Sequence, residues 1–483
     1  MGLRSNGGKF LPVRTAVAAV LVLVIATPAI SAAQATAERP KFGSLRFEED
    51  WSFLRDYSGT KDTFDAIKYL PLSKDGNVWL SLGGQIRERV EIWNSFNFDQ
   101  TPGAQSDDAY LLHRLRFHAD LHVTEYLRFF AEGKSALSTD RDLPGGRRNI
   151  EEDQIDLQNG FVELKAPEAG PVDALTFRAG RQELLFGRER FVSPLDWTNT
   201  RRTFDTLSLS GKAGGWKATS FLSHLVTINE QSWNNHDLDI DFHGLYVTNP
   251  KLPVVGLVDL YYLYLARNDV AFSGETGDED RHTLGSRLFG PIGESIFDYE
   301  VELDLQLGEV GSADIYAWSV ASVLGATLAE DEWKPRLELM FDYAMGDDDP
   351  DDGDANTFNQ LFPLGHAYLG YIDYVGRQNT IHVQSMAAIK PIAPLTLRMD
   401  LHYFWRAQDE DALYNASGAV LRAGNLGSSR DVGGEIDLLA TYAFDAHLSL
   451  MGGYSHFFAG EFIDQSGKDQ DTDFIYFSLQ YTL

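Results

Sequence analysis

The 483-residue sequence contains no cysteine, which excludes disulfides, thiolate metal ligands and a cysteine nucleophile. Positive charge is also scarce, because 41 Lys and Arg stand against 71 Asp and Glu, for a formal net charge of −30. Nucleic-acid binding needs a basic surface, so we exclude that class of function. After residue 35, no apolar run approaches the roughly 20 residues that a membrane-spanning helix needs.

The N-terminus has the three parts of a secretory signal peptide. Basic residues precede an apolar core at residues 16–25, and Ala33-Gln34-Ala35 is a small-x-small cleavage site. We therefore predict a signal peptide at residues 1–35. Residues 36–77 show no two-residue period. We predict that they form a periplasmic lead-in, or a segment at the mouth of an outer-membrane β-barrel formed by residues 78–483. An exported chain without an apolar helix can still span a membrane if its strands close into a barrel.

Residues 395–406 show most clearly the pattern that recurs along the chain. Leu395, Leu397 and Leu401 alternate with polar residues such as Arg398 and His402. Successive side chains of a β-strand point to opposite faces, so this segment has one apolar and one polar face. Its length of about eleven residues suits a tilted strand that crosses a bilayer. A transmembrane strand with a wet inner face is predicted.

Similar segments extend over the rest of the sequence and define the predicted fold class. They lie at residues 79–92, 111–123, 127–137, 161–165, 175–181, 216–226, 242–247, 258–267, 297–307, 316–326, 336–343, 381–387, 395–406, 432–442, 448–456 and 473–483. We predict an all-β chain that forms a single antiparallel transmembrane β-barrel of about 18 strands (16–18), with long extracellular loops and short periplasmic turns. The facing of side chains between residues 155 and 290 is left open.

Four short strings carry a resemblance to a known family. They are LGGQIRER at residues 82–89, AGRQEL at residues 179–184, FWRA at residues 404–407 and GEIDL at residues 434–438. In this order they resemble the alginate export family of outer-membrane β-barrels. The resemblance implies an eighteen-stranded monomeric barrel in the outer membrane of a Gram-negative bacterium, with an arginine-rich constriction that passes a polyuronate.

Alternation turns many basic side chains towards the predicted lumen. Arginine suits an anionic substrate, because its guanidinium grips carboxylates with two hydrogen bonds and stays charged. The basic candidates for the substrate path are Arg87, Arg89, Arg114, Arg116, Arg128, Lys134, Arg287, Arg336, Arg398 and Arg406. Arg181 joins them only through the family resemblance, since strict alternation places it beside Phe177 and Ala179, and a bulge at Gly180 would be needed to turn it inward. Glu88 falls on the lipid face, which a rim position or a bulge would explain.

Acidic side chains also face the predicted lumen. They are Asp120, Glu132, Glu163, Asp298, Glu300, Glu302, Asp304, Glu435 and Asp437. Two arrangements remain open. In one, the acids pair with the arginines and hold them rigid. In the other, separate basic and acidic walls create a transverse field, and rings of acid favour cations.

The predicted function is passive passage of an anionic, alginate-like polysaccharide, with a general or substrate-specific porin for small hydrophilic solutes as the alternative. A structural or adhesive barrel with a plugged lumen is the third class considered. Asp120 and His122, and likewise Asp400 and His402, share a strand face, but no catalytic motif surrounds them, so no enzyme and no catalytic residue is predicted. The aspartate-rich residues 347–354 lack EF-hand spacing, and neither a metal nor a cofactor is predicted. The expected partners are outer-membrane lipid, lipopolysaccharide and the solute, and periplasmic secretion-complex proteins are considered as well.

Overall fold

The computed structural model describes residues 39–101, 103–168, 170, 172–252, 256–329, 333–350 and 352–483. The predicted signal peptide lies outside these residues. The chain forms a closed, antiparallel barrel of 18 strands, which confirms the predicted fold class. The strands are β1 (Trp79–Asn94), β2 (Asp108–His122), β3 (Leu127–Thr139), β4 (Asp153–Ala166), β5 (Ala174–Gln182), β6 (Phe204–Ala213), β7 (Trp216–Thr227), β8 (Asn235–Leu252), β9 (Gly256–Phe272), β10 (Glu275–Pro291), β11 (Phe297–Val310), β12 (Ala313–Thr327), β13 (Arg336–Ala344), β14 (Thr380–Ile392), β15 (Leu395–Arg406), β16 (Asp431–Ala443), β17 (Leu448–Ala459) and β18 (Thr472–Thr482).

The first and last strands close the barrel. Gln85 of β1 lies opposite Arg116 of β2 on one side and opposite Thr482 of β18 on the other. The helices and further strands are short and are not among the 18 wall strands. They are α1 (Asp65–Lys68), α2 (Glu461–Ser466), the 3-10 helices Arg46–Glu48, Ser52–Arg55, Phe96–Asp99 and Gly365–Ala367, and the strand pieces Leu70–Pro71, Asp354–Ala355, Leu413–Tyr414 and Val420–Arg422. Among the described residues, no helix has the length and apolarity to cross a bilayer.

The two faces of each strand follow the alternation of the sequence. In β11, Leu303 and Leu307 are exposed on the outside, whereas Glu300, Glu302 and Asp304 are buried inside. The outer surface is a belt of exposed apolar side chains, as a bilayer requires. Its members include Leu115, Phe117, Phe129, Leu207, Leu222, Leu284, Leu324, Leu339, Met399, Leu438 and Phe477.

A pair of polar side chains lies on this outer surface. Glu88 of β1 and His113 of β2 lie opposite each other in register, and the Nδ1 atom of His113 contacts the carboxylate of Glu88. The β1–β2 ladder runs through this pair without a register shift, so no bulge turns Glu88 inward. Each of the two side chains thus has a polar partner on the outer face of the barrel.

Two strands, β6 and β10, were not among the predicted segments. The outward column of β10 contains Asp280, His282 and Ser286 beside Leu284, so its apolar period is broken. The outward column of β6 starts with Asp205 and ends with Gly211, and only Leu207 and Leu209 lie between them. Both strands form because their neighbours offer complete hydrogen-bonding edges.

The connections differ in length at the two ends of the barrel. Short turns such as residues 123–126, 214–215 and 393–394 lie at one end, and loops such as residues 140–152 and 407–430 lie at the other. Outer-membrane barrels have short turns on the periplasmic side and long loops outside. We therefore assign the short-turn end to the periplasm.

Two long loops fold back into the barrel and create its core. We call residues 183–203 the first inner loop and residues 345–379 the second inner loop. They join each other through a parallel bridge between Val192 and Phe362. The first packs Leu184, Phe191 and Val192 on the inner faces of β6–β9, and the second packs Leu369, Ile372 and Tyr374 near β1, β2 and β15–β18. The two inner loops thus occupy part of the lumen at this level.

Residues 39–77 lie at the periplasmic mouth and reach into it. The ring of Phe47 packs edge-on against Phe130 and Phe161, which face inward from β3 and β4. Arg46 donates hydrogen bonds to the carbonyl oxygen of Gly84 at 3.1 Å and to Leu483 O at 2.7 Å. This segment is folded against the inner wall at the mouth.

Candidate functional site

The inner wall of β1–β3 carries a compact group of basic side chains. Arg87 and Arg114 lie directly opposite each other in register, and so do Arg116 and Lys134. All four are buried, as is Arg89. Like charges directly opposite each other destabilise a sheet, so this group needs acceptors.

Backbone carbonyls of the first inner loop supply many of these acceptors. Arg87 donates to Asp196 O at 2.8 Å and to Thr198 O at 2.9 Å, and Arg114 donates to the same two oxygens at 3.1 Å each. Arg89 donates to the carbonyl of Trp197. A carbonyl satisfies a guanidinium without a full negative charge. The described hydrogen bonds of Arg87 all end on neutral oxygens, so this part of the wall keeps positive charge.

Carboxylates also bind members of the basic group, since Arg89 pairs with Glu91 at 2.8 Å and Arg114 pairs with Asp196 at 2.9 Å. Glu132 accepts from Arg116 at 2.6 and 3.0 Å, and Asp153 pairs with Lys134 at 2.9 Å. Arg201 of the first inner loop binds Glu183 at 2.6 Å and also contacts Asp196. Nearer the mouth, Arg128 binds Asp120 at 2.7 Å and lies 3.5 Å from Glu163, which also accepts from Arg178 at 2.6 Å.

A second charged group lies on β9–β13. Arg287 bridges Asp259 and Glu300, at 2.8 Å each. Glu302 accepts from Arg190 of the first inner loop at 2.8 Å, and Asp304 accepts from the hydroxyl of Tyr261 at 2.6 Å. At the rim, Asp298 pairs with Arg336 at 2.7 Å. Asp298, Glu300 and Glu302 of the β11 ladder are therefore bound by arginines, one of them from a loop, and Asp304 is bound by the hydroxyls of Tyr261 and Ser319.

A third group lies on β15 and β16. Arg398 pairs with Asp400 at 2.7 Å, and His402 lies 3.2 Å from Asp437. Glu435 accepts a hydrogen bond from the backbone N–H of Ile372 in the second inner loop at 2.9 Å. These contacts, with those of the first two groups, favour paired charges over wholly separate basic and acidic walls.

Two predicted basic residues have other surroundings. Arg406 is fully buried at the end of β15, where it donates to the carbonyls of Asp409 and Asp411 at 2.8 Å each, so its charge is taken up by the loop that follows. Arg181 stays in the outward column, opposite Gly160 and Asp205, and both ladders pass Gly180 without a register shift. Its guanidinium binds Asp205 at 2.9 Å and Asp156 at 3.1 Å. The expected bulge is absent from these ladders.

Arg190 and Arg201 were not among the sequence candidates. Both belong to the first inner loop, where no two-residue period exists to indicate their direction. A density of arginine and aromatic residues in residues 186–202 is the available signal, because exposed loops seldom need so many large rings.

Aromatic rings and partly exposed charges meet where the inner loops touch. Trp197 stacks on His366 at 3.9 Å between ring centroids and meets Tyr371 edge-on at 5.8 Å. The guanidinium of Arg89 lies 4.0 Å from the Trp197 ring centroid. On the same loop, Asp196 exposes 42% of its side chain and Arg188 exposes 44%. Flat rings beside guanidinium groups can bind the C–H faces and the carboxylates of an acidic sugar.

A separate cavity of about 340 Å³ lies at the periplasmic mouth. Aromatic and basic residues alternate around it: Arg39, Lys41, Phe42, Trp51, Asp62, Phe64, Lys68 and His447 are among those that line it. Lys68 is buried, and its ammonium donates to Leu483 O at 2.9 Å. Burial and the neighbouring Arg46 lower the pKa of Lys68 to about 8.

The chain was compared with known proteins. Among solved structures, it resembles Pseudomonas aeruginosa OccK8 (OprE) with a TM-score of 0.55 and 14% identity, over 84% of this chain and 98% of that one. Pseudomonas aeruginosa OpdQ matches with a TM-score of 0.55 and 13% identity over 86% and 99%. Pseudomonas aeruginosa OccK2 (OpdF), in complex with glucuronate, matches with a TM-score of 0.54 and 12% identity over 86% and 98%. At these identities the similarity shows the fold alone.

A search of curated proteins found no match. The family model for alginate export, in contrast, matches residues 78–477, which include nearly the whole barrel. Together with the closed barrel and its apolar belt, this places the chain in the outer membrane. The chain belongs to the alginate export family of outer-membrane channels.

Proposed function

We propose that this outer-membrane channel passes an anionic polysaccharide of the alginate type passively across the membrane. The observation that carries the proposal is the basic group on β1–β3. The described hydrogen bonds of Arg87 all end on neutral oxygens, whereas Arg89 also pairs with Glu91 and Arg114 also pairs with Asp196. The positive charge of Arg87 is therefore not cancelled by a bound carboxylate, and it can attract uronate carboxylates.

The junction of the inner loops supplies the second requirement of a saccharide path. Trp197, Tyr371 and His366 offer ring faces, the guanidinium of Arg89 lies 4.0 Å from the centre of the Trp197 ring, and Arg188, elsewhere on the first inner loop, is partly exposed and lies 3.3 Å from Glu300. A sugar can slide over ring faces because stacking has little directional preference. Weak contacts at several sites allow entry and exit, as passage through a channel requires.

The second candidate is a porin specific for small acidic sugars. The bridge between Val192 and Phe362 carries this candidate, because it ties the two inner loops together across the lumen and narrows the path. The fold is also that of OccK2 (OpdF), whose structure contains glucuronate. A single uronate needs less width than a chain that must thread the constriction.

The test is conductance in planar bilayers with glucuronate and with oligouronates of increasing length. Anion selectivity is expected, and Arg87→Gln should reduce it, because this change removes a wall charge and keeps a hydrogen-bond donor. Arg55→Gln is the matched control, since Arg55 is exposed in the mouth segment and binds Asp75 O and Asn77 there. Cation selectivity that ignores Arg87→Gln would refute both candidates.

The length series separates the two candidates. For a polysaccharide channel, block of the ion current should strengthen steadily with oligomer length, since each added uronate meets another cation. For a small-sugar porin, glucuronate should block as well as the longer oligomers, which would bind only by one end. The second result would overturn the polysaccharide proposal and retain an acidic-sugar channel.

A further inference from the structure

The third charged group, on β15 and β16, has a composition that the transport proposal does not use. Asp400 and His402 of β15 and Asp437 of β16 are buried, and one ligand atom of each lies within 4.8 Å of those of the other two. Asp400 lies directly opposite Asp437 in register, and His402 lies opposite Glu435. Carboxylates placed directly opposite each other repel, so something must compensate the pair.

Hydrogen bonds around the group fix the tautomer of His402. Asp342 is ion-paired with Arg377 at 2.6 Å, and it accepts a hydrogen bond from Nδ1–H of His382 at 3.0 Å. Nε2 of a neutral His382 therefore carries a lone pair, and it accepts from Nδ1–H of His402 at 2.9 Å. In a neutral His402 the remaining nitrogen, Nε2, then also carries a lone pair.

That lone pair meets a carboxylate oxygen. Nε2 of His402 lies 3.2 Å from Oδ2 of Asp437, so two electron-rich atoms face each other unless a cation stands between them. Among the described residues, Oδ2 of Asp437 and Oε2 of Glu435 accept no hydrogen bond from an N–H or hydroxyl group, although both are buried, and the two carboxyl groups are neighbours of each other. Buried polar atoms without partners are costly, which points to a missing ligand.

The balance of charge favours a divalent ion. Asp400, Glu435 and Asp437 carry three negative charges when ionised, and Arg398, which binds Asp400 at 2.7 Å, supplies one positive charge. Two negative charges then remain. Two protons are needed to cancel both, whereas a single divalent ion cancels both.

We propose that Asp400, His402 and Asp437 bind a divalent transition-metal ion of the zinc class in the wall of the lumen. The imidazole selects zinc-like ions over calcium and magnesium, which prefer oxygen ligands alone. Glu435, opposite His402, supplies an oxygen as the fourth ligand and completes the tetrahedral set that Zn²⁺ favours.

The groups around the three ligands match the supports that metal sites need. Nδ1–H of His402 donates to His382, as the second nitrogen of a ligating histidine normally donates to a neighbour. Gln384 donates to Oδ1 of Asp400 at 2.8 Å, and the hydroxyl of Ser455 donates to Oδ1 of Asp437. In Asp437 one oxygen is thus fixed and the other faces the site, and in Asp400 the second oxygen is held by Arg398 at 2.7 Å, which leaves its remaining lone pair for the ion.

Metal binding here also fixes the second inner loop. Glu435 holds the N–H of Ile372 through Oε1, so a ligand on Oε2 anchors this loop to the wall. The proposal does not rest on the identity of the transported solute, because it follows from the charges and hydrogen bonds of the wall itself.

The test is metal uptake by the purified, detergent-solubilised barrel after chelation and exposure to Zn²⁺, followed by elemental analysis and competition with a chromogenic chelator. One equivalent of zinc per chain is expected. His402→Gln and Asp437→Asn should each weaken binding by about 100-fold or more, and His382→Gln by about 10- to 100-fold, through lost support of the ligand.

His122→Gln is the matched control. His122 lies 3.1 Å from Asp120 on one strand face, as His402 lies beside Asp400. The ring of His122 stacks on Trp79. The His122→Gln variant is therefore expected to bind as much zinc as the wild type. Heat-modifiable mobility on gels confirms that each variant is folded. Asp437→Asn keeps the shape of the side chain, so its loss of zinc is separable from misfolding.

Three results would overturn the proposal. The first is a folded wild-type barrel that takes up no zinc. The second is uptake that Asp437→Asn and His402→Gln leave unchanged. The third is Ca²⁺ uptake equal to that of Zn²⁺ and insensitive to His402→Gln, which would show that the imidazole is not a ligand.

Discussion

Removal of Arg116 should destabilise the barrel strongly, because this residue neutralises a carboxylate that water does not reach. Glu132 is buried and accepts two hydrogen bonds from Arg116, at 2.6 and 3.0 Å. Its other neighbours are the amide of Asn159 at 3.2 Å and Nδ1 of His118 at 3.6 Å. Neither replaces a guanidinium, since the amide is neutral and the histidine contact is long.

The size of the effect follows from the burial of both partners. Breaking a buried pair by removal of one partner costs about 3–5 kcal/mol, chiefly because the remaining charge stays in a poorly solvated place. Arg116→Met should therefore lower the free energy of unfolding by about that amount. Urea unfolding in lipid vesicles, followed by tryptophan fluorescence, measures it.

The double variant Arg116→Met/Glu132→Gln separates lost charge from lost packing. It removes both charges and keeps an oxygen for Asn159, so it should recover most of the stability. The exposed pair of Arg336 with Asp298, whose side chains expose 30% and 38%, is the control, and Arg336→Met should cost at most about 1 kcal/mol. Equal losses for Arg116→Met and Arg336→Met would contradict this account of the wall.

Three further predictions concern other parts of the chain. Burial lowers the pKa of Lys68 from 10.5 to about 8, so the unfolded chain binds more protons than the folded chain between these pH values. The free energy of unfolding should therefore rise by about 3 kcal/mol from pH 8 to 10.5. Urea titrations measure this rise, and Lys68→Met should abolish it. Gly180→Ala should impair folding, because φ at this residue is +132° and the added Cβ would lie 2.3 Å from the backbone oxygen of Gly160. Loss of the heat-modifiable band on gels measures this. Gly211→Ala is the control and should fold normally, because its Cβ would lie no closer than 3.6 Å to the side chain of Leu175. Replacing both Glu88 and His113 by leucine should raise the free energy of unfolding in vesicles by about 1–3 kcal/mol, and a loss would show that the pair is needed on the lipid face.

The strands were largely predictable because the bilayer enforces a strict pattern on the outer face. In β11 and β15, every outward position is apolar over most of the strand, and the two-residue period is visible in the sequence. The missing strand β10 has His282 and Ser286 in its outward column. There, hydrogen bonding to the neighbouring strands outweighs the apolar pattern.

The lumen was predictable in its residues and unpredictable in its contacts. Alternation indicates that Arg87 and Arg114 face inward, but their acceptors are backbone carbonyls of a loop more than 80 residues away. Backbone oxygens exist at every residue and leave no mark in the sequence. Arg201 was missed for the same reason, since its direction is set by how the first inner loop folds and not by any local period.

The contacts of Arg46 and Lys68 have a consequence for the order of assembly. Arg46 binds Gly84 on β1 and Leu483 just after β18, and Lys68 also binds Leu483. These acceptors lie on the two sides of the seam where the first strand meets the last. Residues 39–77 can therefore dock only after β1 and β18 have paired. In a refolding time course, protease protection of residues 39–77 should follow barrel closure, and protection that came first would disprove this order.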